Sequence, residues 1–230
     1  MTGHILEGTP PVPLVLRKTA RARRMTLRVS AVDGQVTLTM PKYASEREAL
    51  EFAELKADWI RGHLENHQGQ TVVDLGMCVP IDGEDRLLVR GDDNHFHLNQ
   101  ATLLVPTGVS DIGGGVEHWI KSYARKQLTE FVRDYADLIG RRVSAITLRD
   151  TRSRWGSCTS QGRIMLSWRL AMAPLWVQSY VAAHEAAHLV EMNHSSDFWD
   201  LVEHIYGDHT KARAWLHDRG IDLHRYKFRV

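Results

Sequence analysis

The sequence predicts an α+β fold, in which a β-rich N-terminal part with one helix precedes a C-terminal part with a small sheet and several helices. Alternating apolar and polar residues dominate the first half of the 230-residue chain, whereas apolar residues at helical spacing dominate the second half. The change falls near residue 110, before Gly113-Gly114-Gly115 breaks the pattern. We therefore expect two domains, over 1–110 and 111–230.

The N-terminal elements follow from local patterns. Alternating runs over 25–29 and 36–40 flank Asp33-Gly34, which is a strong signal for a β-hairpin. Ser45 begins a Ser-x-x-Glu capping box, so a helix is expected from there to about residue 63. Its apolar residues at helical spacing are predicted to face inward: Phe52, Leu55, Trp59 and Ile60.

The remaining elements are predicted from the same signals. Short strands separated by turns are expected over 72–106. Pro174 suits the first turn of a helix, which should extend to about residue 192. The other predicted elements are a helix over 116–139, strands over 143–149 and 163–170, and helices over 195–206 and 210–219.

The predicted helix that begins at Pro174 contains His184-Glu185-Ala186-Ala187-His188. Residues four apart lie on one face of a helix, so both imidazoles can reach one zinc ion at about 2.0–2.1 Å. Glu185 is rotated about a third of a turn from His184. It is near enough to act on water at the metal, which suits a general base.

A third ligand is needed for a four-coordinate zinc site with one open position. His194 follows His188 by six residues, and Asn193 can adopt the left-handed conformation that would turn the chain back after the helix. Glu203 and His204 on the next helix are rival ligands. The remaining C-terminal histidines are expected at the surface: His209, His217 and His224.

Several motifs of the C-terminal part occur together: Arg154-Trp155-Gly156-Ser157-Cys158, Trp168-Arg169-Leu170, Pro174, Tyr180-Val181, His184-Glu185-x-x-His188, Asn193-His194 and Phe198-Trp199. Together they resemble the YgjP-type family of metal-dependent hydrolases, which is similar to the gluzincin metallopeptidases and to SprT-like proteases. The resemblance implies a zincin-like core, in which an edge strand of a small sheet lies above the active-site helix. It also implies that His184, His188 and His194 bind zinc and that Glu185 activates water.

Composition and charge disfavour several classes of protein. The net charge of +1 produces no overall field that would attract nucleic acid or a membrane. The first residues lack the charged start and apolar run of a signal peptide, and no run approaches the roughly 18 apolar residues of a membrane span. We therefore expect a cytoplasmic location, with Cys78 and Cys158 reduced.

Arginines cluster in two parts of the sequence. Arg152, Arg154 and Arg169 precede the motif helix and are candidate substrate-binding residues, with pairing to acids such as Asp150 as the alternative. Six cations between residues 17 and 28 could contact phosphates, or they could keep a strand edge solvated. Because no aromatic residues for base stacking are interleaved, the second interpretation is preferred and nucleic acid is disfavoured as a partner.

We predict a zinc-dependent hydrolase that acts on a peptide or protein, because the motif and the resemblance both indicate amide hydrolysis. The strand over 163–170 is expected to be an edge strand that aligns an extended peptide. The first alternative is a metal-dependent nucleotide phosphohydrolase or pyrophosphohydrolase that uses the arginine clusters. The second is a non-catalytic, zinc-stabilised nucleic-acid-binding module. An intact Glu185 argues against this second alternative, since a structural zinc site closes with four ligands and needs no base.

Overall fold

The computed structural model describes residues 2–30, 33–65 and 69–229. Helices and small sheets are both present, which confirms the predicted α+β class. The chain divides into two compact units, Met1–Gln70 and Thr71–Val230. No helix in the described ranges combines the length with the apolar character that a bilayer crossing requires.

The predicted boundary near residue 110 lies inside the second unit. The strands before this position bury Val79 and Ile81 in the same hydrophobic core as Val116 and Ile120 of the helix that follows it. A compact domain is built around one core. Shared burial therefore groups these strands with the C-terminal helices, although the sequence pattern changes between them.

The first unit contains four strands: β1 (Thr2–Leu6), β2 (Val12–Thr19), β3 (Thr26–Val29) and β4 (Val36–Pro41). They form one sheet in the order β1-β2-β4-β3. The predicted hairpin is present, because β3 and β4 pair antiparallel with Val29 opposite Val36. Residues 31 and 32 of its turn lie outside the described residues.

Two helices replace the single helix predicted for this unit: α1 (Glu46–Leu55) and α2 (Ala57–Glu65). The predicted capping box is present, since the Ser45 hydroxyl accepts from the Glu48 N–H at 3.2 Å and the Glu48 carboxylate accepts from the Ser45 N–H at 2.8 Å. The break after Leu55 changes the helical phase. Ile60 is consequently fully buried, whereas Leu55, also predicted to face inward, is 83% exposed.

The second unit contains the site and most of the chain. Its strands are β5 (Thr71–Val72), β6 (Cys78–Ile81), β7 (Glu84–Arg90), β8 (His97–Leu98), β9 (Thr102–Val105), β10 (Ala145–Arg149), β11 (Gly156–Cys158), β12 (Arg163–Ser167) and β13 (Tyr226–Lys227). Its α-helices are α3 (Ile112–Leu138), α4 (Leu175–Ala187), α5 (Ser196–Tyr206) and α6 (Thr210–Asp218), and short 3-10 helices cover Trp168–Met172 and Gly220–His224. The strands form sheets in the orders β6-β7-β9-β8, β10-β12-β11 and β13-β5.

The three consecutive glycines begin α3 and do not interrupt the chain. Asp111 caps the helix, and its carboxylate accepts a hydrogen bond from the Gly114 N–H at 2.9 Å. A Cβ on Gly113 would overlap the backbone carbonyl of Phe228. Glycine therefore serves here to let the C-terminal segment approach the helix backbone, in spite of its low helix propensity.

β12 is the central strand of its sheet and not the edge strand that the sequence predicted. It pairs in parallel with β10 on one side and antiparallel with β11 on the other. Residues 168–170, predicted as the end of this strand, instead belong to a 3-10 helix over Trp168–Met172. β11 is one of the two edges of this sheet, and it is the edge that packs against α4 through Gly156.

Hydrogen bonds to Asp82 anchor the beginning of α4. The Gln178 amide, fully buried, donates to the Asp82 carboxylate and to the Ala173 carbonyl, each at 2.8 Å. Tyr123 of α3 donates its hydroxyl to the same carboxylate. Asp82 itself has a positive φ of 54° in the turn between β6 and β7. These hydrogen bonds connect α4 to α3 and to the β6–β7 turn.

Candidate metal centre

α4 presents two histidines one helical turn apart. His184 lies in its last turn, and His188 is the residue that caps it, with φ −66° and ψ −10°. The helix ends earlier than predicted, at Ala187. The chain nevertheless continues in a turn, in which the Leu189 N–H donates to the Ala186 carbonyl at 2.9 Å. The two imidazole rings therefore remain neighbours, with centroids 5.1 Å apart.

His194 returns to the same face because a new helix starts directly after Ser195. This serine caps α5, and its hydroxyl accepts a hydrogen bond from the Phe198 N–H at 3.4 Å. The expectation of a left-handed Asn193 is wrong, since Asp82 is the only described non-glycine residue with a positive φ. The cap of α5, and not Asn193, defines where the chain turns.

The imidazoles of His184, His188 and His194 converge, with one potential ligand atom from each lying within 4.8 Å of the others. The Nε2 atoms of His184 and His194 are 3.1 Å apart. Two nitrogens on one tetrahedral zinc ion would be roughly 3.4 Å apart, given bonds of about 2.0–2.1 Å. The geometry thus fits a single ion. Glu203 and His204 are exposed on α5, and neither belongs to this group in the described part of the chain.

Two aromatic side chains of α5 pack against the histidines. The ring centroid of Phe198, which is fully buried, lies 4.9 Å from that of His184, 4.5 Å from that of His188 and 4.8 Å from that of His194. Trp199 stacks on His194 at 5.7 Å. Contact with all three rings restricts their rotamers, so the nitrogens are already convergent without an ion.

Burial favours the neutral form of the His184 and His188 imidazoles, because it lowers the pKa of both. The Nδ1–H of His188 donates to the Glu191 carbonyl at 2.9 Å, which leaves Nε2 with a free lone pair. Burial, with smaller effects of His188 and His194, lowers the pKa of His184 to about 3. The buried Nδ1 of His184 has no hydrogen-bond partner among the described residues. Neutral imidazole is the form that binds a metal ion, so this donor set fits one.

Glu185 lies beside the histidines and against β11. Its side chain is almost inaccessible, and a Cβ on Gly156 would overlap its carboxylate, so this position of β11 requires glycine. Burial raises the pKa of Glu185 to about 8, and the nearby Arg154 opposes this effect. A carboxylate with a raised pKa is a stronger base than one in water, which is the property that proton abstraction near neutral pH requires.

The raised pKa of Glu185 predicts a pH-dependent stability of the metal-free protein. Between about pH 4.5 and about pH 8 the folded state keeps this carboxyl protonated, whereas the unfolded state releases the proton. The free energy of unfolding should therefore fall as the pH rises through this window. Glu185→Gln removes the titrating group. Its melting temperature without metal should exceed that of the wild type by roughly several degrees at pH 8 and should nearly match it at pH 5.

Thermal unfolding of both EDTA-treated proteins at the two pH values measures this difference. The lowered pKa of His184 destabilises both proteins below its ordinary titration range, so its effect cancels in the comparison. If the two melting temperatures differ equally at pH 5 and pH 8, the amide acts through packing and the predicted ionisation effect is wrong.

Arg169 is a structural residue, which corrects its assignment as a candidate substrate-binding arginine. It is 8% exposed, and its Nε donates to the Asp150 carboxylate at 2.7 Å. Its Nη1 donates to the carbonyls of Leu223 at 2.8 Å and Tyr226 at 3.2 Å. These bonds use most of the guanidinium and tie the C-terminal segment to the core, so little of it is left to contact a substrate.

Arg152 and Arg154 are both exposed in the segment before β11. Arg154 lies close enough to Glu185 to lower the pKa of that carboxyl. Arg152 lies near His224 instead. Burial and then Arg169 lower the pKa of His224 to about 4, with a smaller contribution from Arg152. Arg154 is therefore the one of these two arginines whose charge acts on Glu185.

The sequence reasoning missed several neighbours of the site. Gly156 belongs to the Arg154–Cys158 motif, but no local sequence signal indicated that it faces Glu185. His209, expected at the surface, is partly buried and stacks on Trp199 at 5.0 Å. His224, also expected at the surface, is buried against Trp155, with centroids 5.4 Å apart. His217 is exposed, as predicted. Cys78 and Cys158 form no disulfide among the described residues.

A helix that carries a His-Glu-x-x-His motif, with a third histidine folded back onto it, is typical of metallopeptidases. The comparison with protein families identifies which one. Residues 23–219 match the family described as YgjP-like, metallopeptidase domain. This match spans most of the chain, so the chain belongs to the YgjP-like metallopeptidase family.

Two further comparisons were made. The comparison with curated proteins found no match. Among solved structures, the chain is similar to abylysin, a metallopeptidase zymogen of Pyrococcus abyssi, with 22% sequence identity and a TM-score of 0.36. That similarity covers 41% of this chain and 92% of the abylysin chain. The assignment therefore depends on the family match.

Proposed function

We propose that this chain is a zinc-dependent metallopeptidase, in which His184, His188 and His194 hold the ion and Glu185 is the general base. The observation that carries the proposal is the convergence of three imidazoles beside a buried glutamate side chain. Three protein ligands leave one position open, as in catalytic zinc sites, whereas a structural site closes with four. The family assignment supports a peptide or protein as the substrate.

A bound zinc ion would supply Lewis acidity, which polarises the scissile carbonyl and makes water more acidic. The remaining steps belong to the chain itself. The Glu185 carboxylate takes a proton from the attacking water and passes it to the nitrogen of the leaving amine. In the chain without metal, burial raises the pKa of this carboxyl, and a carboxylate of raised pKa is a stronger base than one in water. Phe198 and the His188–Glu191 hydrogen bond keep the imidazoles oriented.

β11 is the strand that we propose aligns the substrate. One of its sides pairs with β12, and the other has no partner among the described strands. Gly156 of β11 packs directly against Glu185. An extended peptide that adds to this free side by main-chain hydrogen bonds would pass beside the general base. This assignment replaces the predicted role of the 163–170 strand, which is central.

The nucleotide alternative depends on arginines near the site. Arg169 is already occupied by Asp150 and by backbone carbonyls. Arg154 remains exposed and close to Glu185, so an anionic substrate group could reach it. The non-catalytic alternative has less support, because a module that uses zinc only structurally needs no buried carboxylate beside three ligands.

A hydrolysis screen tests the proposal. The zinc-loaded protein is incubated with a panel of peptides and unfolded proteins, and in parallel with nucleoside triphosphates. Mass spectrometry of new peptide termini and phosphate release are the two measurements. Peptide cleavage that is lost in Glu185→Gln is the expected result. Glu185-dependent triphosphate hydrolysis, with the peptide panel intact, would replace this function with the nucleotide alternative.

A further inference from the structure

Two arginines that the proposed mechanism does not use lie next to the metal centre. Arg141 and Arg142 line a cavity of about 410 Å³ whose wall also includes His188. Both side chains are exposed. Across the part of the chain that the structure describes, neither guanidinium has a carboxylate within ion-pair distance. Two cations are therefore available to a ligand in a cavity that begins at the candidate site.

The backbone holds these arginines in a defined place. The Arg141 N–H donates to the Ala136 carbonyl at 2.8 Å, at the end of α3. The Ser144 N–H donates to the Gly162 carbonyl at 2.9 Å, which joins the segment to the turn between β11 and β12. Gly162 has a φ of +71°, a conformation that favours glycine. The pair is thus fixed relative to the turn that follows β11.

A peptide aligned on β11 would lead into this cavity. The strand passes Glu185 at Gly156, and the turn after it, residues 159–162, forms one wall of the cavity. Residues 188–190 and Met192 line the same cavity. Val190 and Met192 are 38% and 48% exposed, so the cavity has apolar surface as well as the two cations. This combination suits side chains with an apolar stem and an anionic end.

We propose that Arg141 and Arg142 form a subsite for acidic side chains of a polypeptide substrate, on the side where the peptide leaves β11 toward His188. This proposal rests on the proposed peptidase function and assigns it a substrate class. Carboxylates and phosphates both attract arginine, but the surface favours a peptide. The adjoining cavity of about 550 Å³ shares this pair and adds Arg125, Arg133 and one acid, Asp137. Neither cavity is lined by a Phe, Tyr or Trp side chain on which a base could stack.

Peptide binding to the zinc-loaded Glu185→Gln protein tests the subsite without cleavage. Fluorescent peptides share an apolar centre and carry three glutamates before it, three glutamates after it, or glutamines at both ends. Arg141→Gln with Arg142→Gln should weaken binding of one of the two acidic peptides by roughly five- to tenfold. The glutamine peptide should bind equally to both proteins. The matched control changes Lys126 and Lys227 to Gln, two exposed cations that line neither cavity.

The outcomes separate this subsite from the peptidase function. Equal losses for both acidic peptides, or the same loss in the lysine control, would indicate unspecific charge attraction and overturn the proposal. No loss, or no binding of acidic peptides by the parent, would overturn it as well. Tighter binding of an oligonucleotide or a nucleoside triphosphate, lost with the same arginine pair, would assign the surface to phosphates instead. Cleavage of peptides by the wild-type protein is measured separately. The proposed peptidase function can therefore be confirmed even if the binding experiment overturns the acidic subsite.

Discussion

Glu185→Gln is expected to reduce the turnover of a cleaved peptide by about a hundredfold or more while zinc content and fold are kept. Gln has nearly the same shape as Glu, so it can occupy the buried space beside Gly156. An amide, however, cannot take the proton from the attacking water. The three histidines are not changed, and each retains its contact with Phe198. The loss should therefore appear in kcat and leave the metal in place.

The measurement is steady-state cleavage of a peptide found in the screen, together with elemental analysis of zinc. Glu203→Gln is the matched control, because it makes the same change at an exposed position of α5 outside the histidine group. A Glu185→Gln protein that cleaves at the wild-type rate would remove Glu185 from the role of base. If Glu185→Gln loses both activity and zinc, this variant does not test the role of the base. The turnover and zinc content of Glu185→Asp are then measured as well, because its shorter carboxylate can still accept a proton.

His184→Ala and His188→Ala are expected to abolish zinc binding, and His194→Ala is expected to weaken it strongly. Each change removes one of the three nitrogens that converge on a single point. His188 is also oriented by its hydrogen bond to Glu191, and its replacement leaves that carbonyl without the donor. His194 is exposed and adjoins the cap of α5, so water could replace it in part. Wild-type protein should contain one zinc ion per chain.

Elemental analysis after dialysis against a weak chelator measures these losses, and circular dichroism confirms that each variant is folded. His217→Ala provides the control, since this exposed histidine lies on α6 outside the group. Glu203→Ala and His204→Ala test the rival ligands and should retain zinc. Full zinc in His194→Ala, combined with a loss in Glu203→Ala, would transfer the third-ligand role to Glu203.

Features that depend on residues close in the chain were predictable. The one-turn spacing of His184 and His188 follows from helix geometry, and it persists although the helix ends at Ala187. The capping box at Ser45 and the β3–β4 hairpin also have short-range causes. The position of His194 was predicted for a wrong reason. The chain brings His194 back to the other two histidines because Ser195 caps α5, and not because Asn193 is left-handed. A serine before a helix is a local signal, so this cap was predictable from the sequence.

Long-range pairing could not be read from local patterns. β12 has the apolar residues of a buried strand, but whether such a strand is central or at an edge depends on which others pair with it. β11 has only three residues and gave no strand signal, yet it is the edge that packs against Glu185. The three glycines in the first turn of α3 resemble a break in the sequence, because the Phe228 carbonyl that Gly113 contacts lies more than a hundred residues away.

The sequence by itself determined the chemistry that the chain can offer: two histidines and a glutamate on one helix, a third histidine six residues later, and the family that these motifs indicate. Only the tertiary structure decided what surrounds them. Arg154 and Arg169 each lie next to a tryptophan in the sequence, but their surroundings differ. Arg154 is exposed near Glu185, whereas Arg169 donates hydrogen bonds to Asp150 and to C-terminal carbonyls. Likewise, the pKa of Glu185 is raised by burial. Helical spacing is a property of neighbouring residues, whereas burial, charge pairing and strand order arise from segments that meet only when the chain is folded.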